Sequence, residues 1–587
     1  MLIGARRGRS ILIPIALMFV AALFLVSPRG EFPLNDDWVY AEMVRSLLAT
    51  GRPEVHPYAS AWAIPQTVLG AGLSKVFGFG FTTLRATTLV MAFLAAWAAS
   101  LCAREIGASR GQAIAAAALL LMNPLFLNLS YSFMTDVPFV TFTLFSVLFY
   151  LKSLRRPGAI PIGLGSVFAA LAFANRQYGV LLPAAFIMAA GLFAPRTHSH
   201  WSTRNAAALL LPFVAGVVLV ILIARTSSRP LWTGLLTDSE SARNVLRTAA
   251  DVLFCGLQYI GIFLSPIAVV RLLAAGGQTE RRSRTHWGIV AATSVSAIVY
   301  SMWVAGPLPN LPNIMRDLGV GPLLLSDADP AGSPSPVSVG GAVWWPVTIW
   351  SAVSAGVLVA HTTTLLRATG SIRASIWRAR RSQFGFLVVC AVALTLAPCN
   401  PFQDAYFDRY LLPALPLAAV LAFRPAPRTK RAVSGRSPGL EQGRGARSRH
   451  RLQKVRVSAG ILLASMLFSF SVISLQDYMA WNRARWTALD ILRDQRGVPD
   501  LEIDGGYEFN GYYTSEEYIR LVAESDSNEH LTRPIWVVKD TWKVAFRPQP
   551  GYTVVETVPY YSWLGFMSRD ILILKRDAVA DDAADTG

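Results

Sequence analysis

Apolar runs of about 20 residues recur along this chain, and a run of that length fits little except a helix crossing a bilayer. On that scale the spans fall near 11–28, 83–103, 111–129, 136–151, 159–175, 178–194, 205–224, 249–270, 288–305, 342–364, 384–400, 410–424 and 457–475. That is about thirteen spans, several of them short. Of the 587 residues 53% are hydrophobic and 15% charged, and the mean hydropathy of +0.41 excludes an ordinary soluble protein. The fold class expected is an α-helical polytopic membrane protein. Arg6, Arg7 and Arg9 ahead of an apolar run from Ile11 to Val26 have the layout of a secretory signal. With no small-x-small cleavage site after Val26, the run reads as an uncleaved first helix.

The net charge of +18 does not indicate a nucleic-acid partner, because the basic residues sit in short runs between the apolar stretches. They mark topology instead. Arg104 with Arg110, Lys152 to Arg156, Arg196 with Arg204, Arg281 to Arg284 and Arg378 to Arg381 all fall on the side of the N-terminus. The most basic connection, 424–456, falls there too, with a single acid, Glu441. By the positive-inside rule this side is cytoplasmic. The opposite connections carry acids such as Glu31, Asp36, Asp37, Glu54, Asp136, Asp238, Asp317, Asp404 and Asp408. The four cysteines, Cys102, Cys255, Cys390 and Cys399, lie in or beside apolar spans without CxxC pairing, and read as structural thiols.

Two regions follow. Residues 1–475 form a transmembrane core with a long outer loop, 29–82, and the basic cytoplasmic loop 424–456. With an odd number of spans, 476–587 lies outside as a small α/β domain, and its composition turns polar and acidic. Its pattern predicts helices near 484–496 and 514–525, strands near 500–504, 534–539, 552–558 and 570–575, and a disordered tail. The expected setting is a bacterial inner membrane, the N-terminus cytoplasmic and the C-terminus periplasmic.

The chemistry gathers at the outer surface, while the spans hold almost no central charge. Asp251 and His361, the nearest exceptions, both sit near span ends. In loop 29–82, Asn35-Asp36-Asp37-Trp38-Val39-Tyr40 opens an amphipathic stretch through Leu48, read as a helix lying on the membrane. Asp36 and Asp37 would point about 100° apart if both were helical, and Asn35 or Asp36 can equally serve as an N-cap. Ser132 to Pro138 places Asp136 at the outer end of a span, where Thr135 or Asp136 can cap the helix that Pro138 helps to start. Arg176 stands outside against the positive-inside trend. Asp408-Arg409-Tyr410 lies at the outer surface as well, and Arg409 can pair with Asp408 or snorkel. Carboxylates and arginines on one interface suit a reaction between a lipid phosphate and a water-side acceptor. Arginine binds the phosphate bidentately, and aspartate takes a proton from an acceptor hydroxyl. The chain has no Walker loop, GxSxG elbow or HExxH.

The Asp36-Asp37 pair, Thr135-Asp136-Val137-Pro138 and Arg409-Tyr410-Leu411-Leu412-Pro413 resemble the GT-C membrane glycosyltransferases. The branch most similar is that of the protein O-mannosyltransferases and the lipid A aminoarabinose transferases, and the resemblance covers most of 1–475. It implies inverting transfer of a sugar from a polyprenyl-phosphate donor in the membrane lipid to an extracytoplasmic acceptor, whether glycan, lipid or protein. It further implies that Asp36 or Asp37 is the general base and that Asp136 positions acceptor or metal. Arg409 would contact the donor phosphate, and Arg176, Asp408 and Tyr410 would join the substrate site. A divalent metal is admitted by these carboxylates but not required. The chain departs from the protein O-mannosyltransferases in having Asp36-Asp37 where they usually show Asp-Glu, and in lacking their large soluble insertion. Other readings are a lipid-linked saccharide carrier or flippase, disfavoured by the scarcity of midplane charge, and a glycan polymerase or ligase.

Overall fold

The computed structural model describes residues 2–193, 202–225, 240–275, 284–327, 339–370, 375–399, 406–423, 442–524 and 536–577. Most of the basic segment, 424–441, and the expected disordered tail, 578–587, lie outside the described residues, as do Arg196, Asp238, Arg281, Arg282, Asp329 and Asp404.

Each predicted span carries a helix. In chain order the first of them are α1 (Leu2–Leu25), α2 (Asp37–Thr50), α3 (Ile64–Phe77), α4 (Phe81–Glu105), α5 (Arg110–Leu121), α6 (Pro124–Ser130), α7 (Asp136–Arg155), α8 (Ala159–Asn175), α9 (Leu181–Phe193) and α10 (Thr203–Arg225). They continue with α11 (Glu240–Phe263), α12 (Ser265–Ala275), α13 (Arg284–Tyr300), α14 (Gly340–Gly370), α15 (Ser375–Leu396), α16 (Ala414–Ala422) and α17 (Gln442–Asp490). Among the described residues seven helices are long and apolar enough to cross a membrane, or eight if the bent pair α5–α6 counts as one span. Others are shorter apolar segments such as Ala159–Asn175 and Arg381–Leu396. The α5–α6 bend of 65° has a local cause. Pro124 starts α6 and Asn123 caps it, its Oδ1 accepting from Phe126 N at 3.1 Å.

Loop 29–82 holds two helices where one was expected. α2 covers the predicted amphipathic stretch, and Gly51 closes it at φ 70 with its N–H on the Leu47 carbonyl. α3 is additional. Buried Arg85 on α4 ties down the approach to α2, donating to the carbonyls of Pro28, Gly30 and Phe32.

The C-terminal region departs from expectation at its start. The helix expected near 484–496 forms, but as the end of a longer one: α17 runs 49 residues without a proline and ends in a π turn, Ile491–Gln495. At 1.5 Å per residue that is about 74 Å, far more than a bilayer requires. Beyond it lie β1 (Ile503–Asp504), α18 (Tyr507–Tyr513), α19 (Ser515–Glu524), β2 (Trp542–Ala545), β3 (Tyr552–Ser562) and β4 (Met567–Arg576). The strand expected near 534–539 is displaced to β2, and 536–541 carries no strand. The sheet order is β1-β2-β4-β3, with β1 and β2 parallel and the other pairs antiparallel.

A fully buried ion pair joins this region to the core. Arg485 Nη1 on α17 lies 2.8 Å from Glu508 Oε2 on α18, both side chains 0% exposed. Arg485 also donates twice to the Gly505 carbonyl, and Glu508 Oε1 accepts from the N–H of Asn35 at 3.0 Å. Every charge is therefore satisfied, and removing one partner strands the other. Glu508→Ala is predicted to destabilise the protein by about 3–5 kcal/mol, and Glu508→Gln, which keeps an acceptor for Asn35, by less. Thermal melting of the purified protein in detergent measures both.

Candidate active site

The segment entering α2 separates the two neighbouring aspartates. Asn35 adopts a left-handed conformation (φ 58), Asp36 occupies the N-cap position and Asp37 begins the helix. Asp37 turns inward and is fully buried. Its Oδ1 accepts from Leu34 N at 2.7 Å and its Oδ2 from Phe133 N at 3.2 Å, so it pins α2 to the segment ahead of α7. Burial pushes its carboxyl up to about 7, against the Arg85 guanidinium and these N–H donors, which pull it down.

Asp36 turns the other way and keeps 26% of its side-chain surface exposed. Its Oδ2 lies 3.6 Å from Arg409 Nη2, and its Oδ1 accepts from the Tyr507 hydroxyl at 2.7 Å. Arg409 is nearly buried, and its Nε and Nη1 have no hydrogen-bond partner among the described residues. Burial works against its charge, and Asp136 and Asp36 more than offset that.

A second aspartate–arginine pair stands beside the first. Asp136 Oδ2 lies 3.1 Å from Arg176 Nη2, while Arg176 Nε donates to Thr135 Oγ1 at 2.7 Å and Asn175 Nδ2 to the Thr135 carbonyl at 2.9 Å. These contacts lock the start of α7 to the end of α8. Thr135 takes the N-cap position without a side-chain cap bond, because its hydroxyl serves Arg176. Tyr410 packs between the pairs, its ring centre 5.9 Å from the Arg176 guanidinium carbon and 5.8 Å from that of Arg409. Such ring contacts fix both guanidinium groups in place.

Asp408, expected at the substrate site, instead resembles Asp37. It is fully buried and accepts from Ile314 N and Met315 N, the latter at 2.7 Å, fastening the loop between α13 and α14. Burial raises its carboxyl to about 7, the Met315 and Ile314 N–H groups opposing the rise. Neither the Asp408–Arg409 pairing nor a snorkelling Arg409 is what forms: Arg409 faces Asp36.

Of the seven site residues expected, Asp36, Asp136, Arg176, Arg409 and Tyr410 come together, and Asp37 and Asp408 support them from behind. Sequence reading counted Tyr507 among the C-terminal aromatics that could stack on sugar, but it missed the contact of Tyr507 with Asp36 and the place of Tyr40. Tyr40 is buried with its hydroxyl 3.2 Å from Ser60 Oγ, close enough to Asp36, Arg176 and Arg409 to feel all three charges. Tyr507 follows Gly505-Gly506, a turn signal that says nothing about a contact 471 residues away. Among the described residues no three His, Cys, Asp or Glu side chains converge as a metal-ligating set, and Asp36 and Asp136 each face a guanidinium.

The arrangement can bind an anion at paired arginines beside a carboxylate reachable from water. Residues 56–228 match the dolichyl-phosphate-mannose-protein mannosyltransferase family. That segment contains Asp136 and Arg176, and it agrees with the branch the motifs resemble. Among solved structures the chain is similar to ArnT from Cupriavidus metallidurans in the apo state, at 12% identity over 95% of this chain and 97% of that one, with a TM-score of 0.38. The same protein bound to undecaprenyl phosphate gives 13% identity, 96% and 98% coverage and a TM-score of 0.40. Archaeal oligosaccharyltransferase AglB from Archaeoglobus fulgidus, in complex with an inhibitory peptide and a dolichol-phosphate, gives 12%, 84%, 59% and 0.43. No protein of curated function matches the chain.

The buried carboxyls give a pH dependence with a definite sign. A carboxyl whose folded pKa is raised from 3.8 to about 7 holds its proton longer folded than unfolded. Its contribution to stability is therefore greatest below about pH 4, falls as pH rises and levels off above about 7. The Asp408→Asn variant is predicted to flatten the fall in melting temperature between pH 4 and 7, even where its absolute melting temperature is lower.

Proposed function

We propose that this chain is an inverting glycosyltransferase that takes a sugar from a polyprenyl-phosphate carrier and passes it to an extracytoplasmic acceptor. The observation that carries the reading is the pair of aspartate–arginine contacts, Asp36–Arg409 and Asp136–Arg176, assembled around Tyr410. The family match over residues 56–228 supports it. The setting proposed is a bacterial inner membrane, with the basic connections cytoplasmic and residues 476–587 outside as a periplasmic domain.

In this reading Arg409 binds the donor phosphate through the N–H groups that now lack partners, offsetting the charge that grows as the sugar–phosphate bond breaks. As Arg409 turns onto the phosphate its Nη2 leaves Asp36 Oδ2, and Asp36 keeps Tyr507 on Oδ1. The other oxygen is free to take the proton of the acceptor hydroxyl, whose oxygen attacks the anomeric carbon opposite the leaving phosphate. Asp136 and Arg176 form the second wall, Asp136 positioning the acceptor. Asp37 and Asp408 hold the scaffold and stay out of the reaction.

Reconstituted protein supplied with radiolabelled polyprenyl-phosphate sugars and candidate acceptors tests the assignment. Asp36→Asn is predicted to lower transfer by about 10²-fold or more, with Asp136→Asn and Arg409→Gln also strongly impaired. Tyr507→Phe is predicted to cost roughly tenfold in turnover, the worth of one hydrogen bond to a charged group, with little change in KM. Transfer that survives Asp36→Asn, Asp136→Asn and Arg409→Gln alike would remove the site. Lipid translocation without transfer would make the protein a carrier.

A further inference from the structure

The turn between β3 and β4 exposes apolar side chains that nothing inside the molecule requires. Phe566 is 80% exposed, Tyr561 55% and Met567 50%, with Trp563 and Leu564 half-buried between them. Phe566 also adopts a left-handed backbone (φ 50), which is unfavourable for an aromatic residue and is offset by no internal packing of its ring. A polar residue, or the glycine one position earlier, would suit a turn in water better.

The height of this turn relative to the spans is fixed by hydrogen bonds. Ser562 Oγ donates to Asp477 Oδ1 at 2.6 Å, and Leu564 N approaches the same oxygen at 3.4 Å. Asp477 stands two residues past the apolar stretch 457–475 of α17, about 3 Å along the helix axis. Leu564 also lies 3.2 Å from where a Cβ on Gly319 would stand, in the loop joining α13 to α14. That loop is tied to the first turn of α14 by Trp344 Nε1 donating to Asp317 Oδ1 at 2.6 Å. The turn therefore lies against α17 just past its apolar stretch and against the loop that joins α13 to α14. On the same face, at the end of the α13 segment, Trp303 is 82% exposed and Met302 63%.

We infer that the β3–β4 turn is a membrane anchor, its Phe566, Met567 and Tyr561 side chains seated in the headgroup–acyl boundary of the bilayer at this face. Phenylalanine and methionine enter the acyl edge while tyrosine and tryptophan suit the headgroup level, the mixture expected of an interfacial contact. Lipid is the occupant because these side chains are exposed and the turn is held about 3 Å past the apolar stretch of α17, the depth at which an exposed side chain meets headgroups. The anchor would hold the C-terminal sheet against the membrane and keep α18, with Tyr507, over Asp36.

Spin labelling of the full-length protein in lipid nanodiscs tests this. A Cys399→Ala background leaves Cys102, Cys255 and Cys390, all buried. Labels are placed through Phe566→Cys and, near the far end of β3, Val555→Cys. At 566 collision with oxygen is expected to be high and collision with a water-soluble nickel chelate several-fold lower than at 555. Equal nickel accessibility at the two sites would overturn the anchor. A 566 label shielded from both reagents would overturn it too, by showing a protein contact instead of lipid.

Discussion

The contact between Asp36 and Arg409 organises this molecule. It brings together two residues 373 positions apart and charges two groups against one another at the edge of water. A nearly buried guanidinium demands carboxylates, and a partly exposed carboxylate with one tyrosine and one arginine on it has a fixed direction. The packing behind exists to hold these two groups still. Asp37 fastens the start of α2 to Phe133, Asp408 fastens the 306–321 loop, and Arg485 with Glu508 brings α18 close enough for Tyr507 to reach Asp36.

The acids of the site thus divide into two kinds. Asp37 and Asp408 are surrounded by backbone N–H groups and lie away from water, so they cost the fold some stability and give it shape. Asp36 and Asp136 face arginines, and their charge is balanced by groups that a phosphate could claim. Substrate binding would then move Arg409 from Asp36 to the phosphate and leave Asp36 with Tyr507 alone, a carboxylate freed to act as a base.

Much of this was legible in the sequence because bilayers impose coarse rules. Apolar run lengths gave the helices, and the outer loop ends pointed to Asp36, Asp37, Asp136, Arg176, Asp408, Arg409 and Tyr410, of which Arg176 stood out against the positive-inside trend. What the chain did not disclose was direction. Asp36 and Asp37 are indistinguishable until Leu34 and Phe133 supply N–H groups to only one of them. Asp408 looks like the partner of Arg409 until Ile314 and Met315 take its oxygens. The contact of Tyr507 with Asp36 was not legible because its partner is in another part of the chain, and the helix expected at 484–496 forms as the last part of α17, because no residue between Gln476 and Arg483 breaks it off from the span before it.

A structure of the protein with polyprenyl phosphate bound tests the central claim most directly. The account predicts the phosphate within hydrogen-bond reach of Arg409 Nε or Nη1, about 3 Å, with the Asp36–Arg409 contact opened and Tyr507 still on Asp36. A phosphate held elsewhere, with Arg409 still on Asp36, would contradict it.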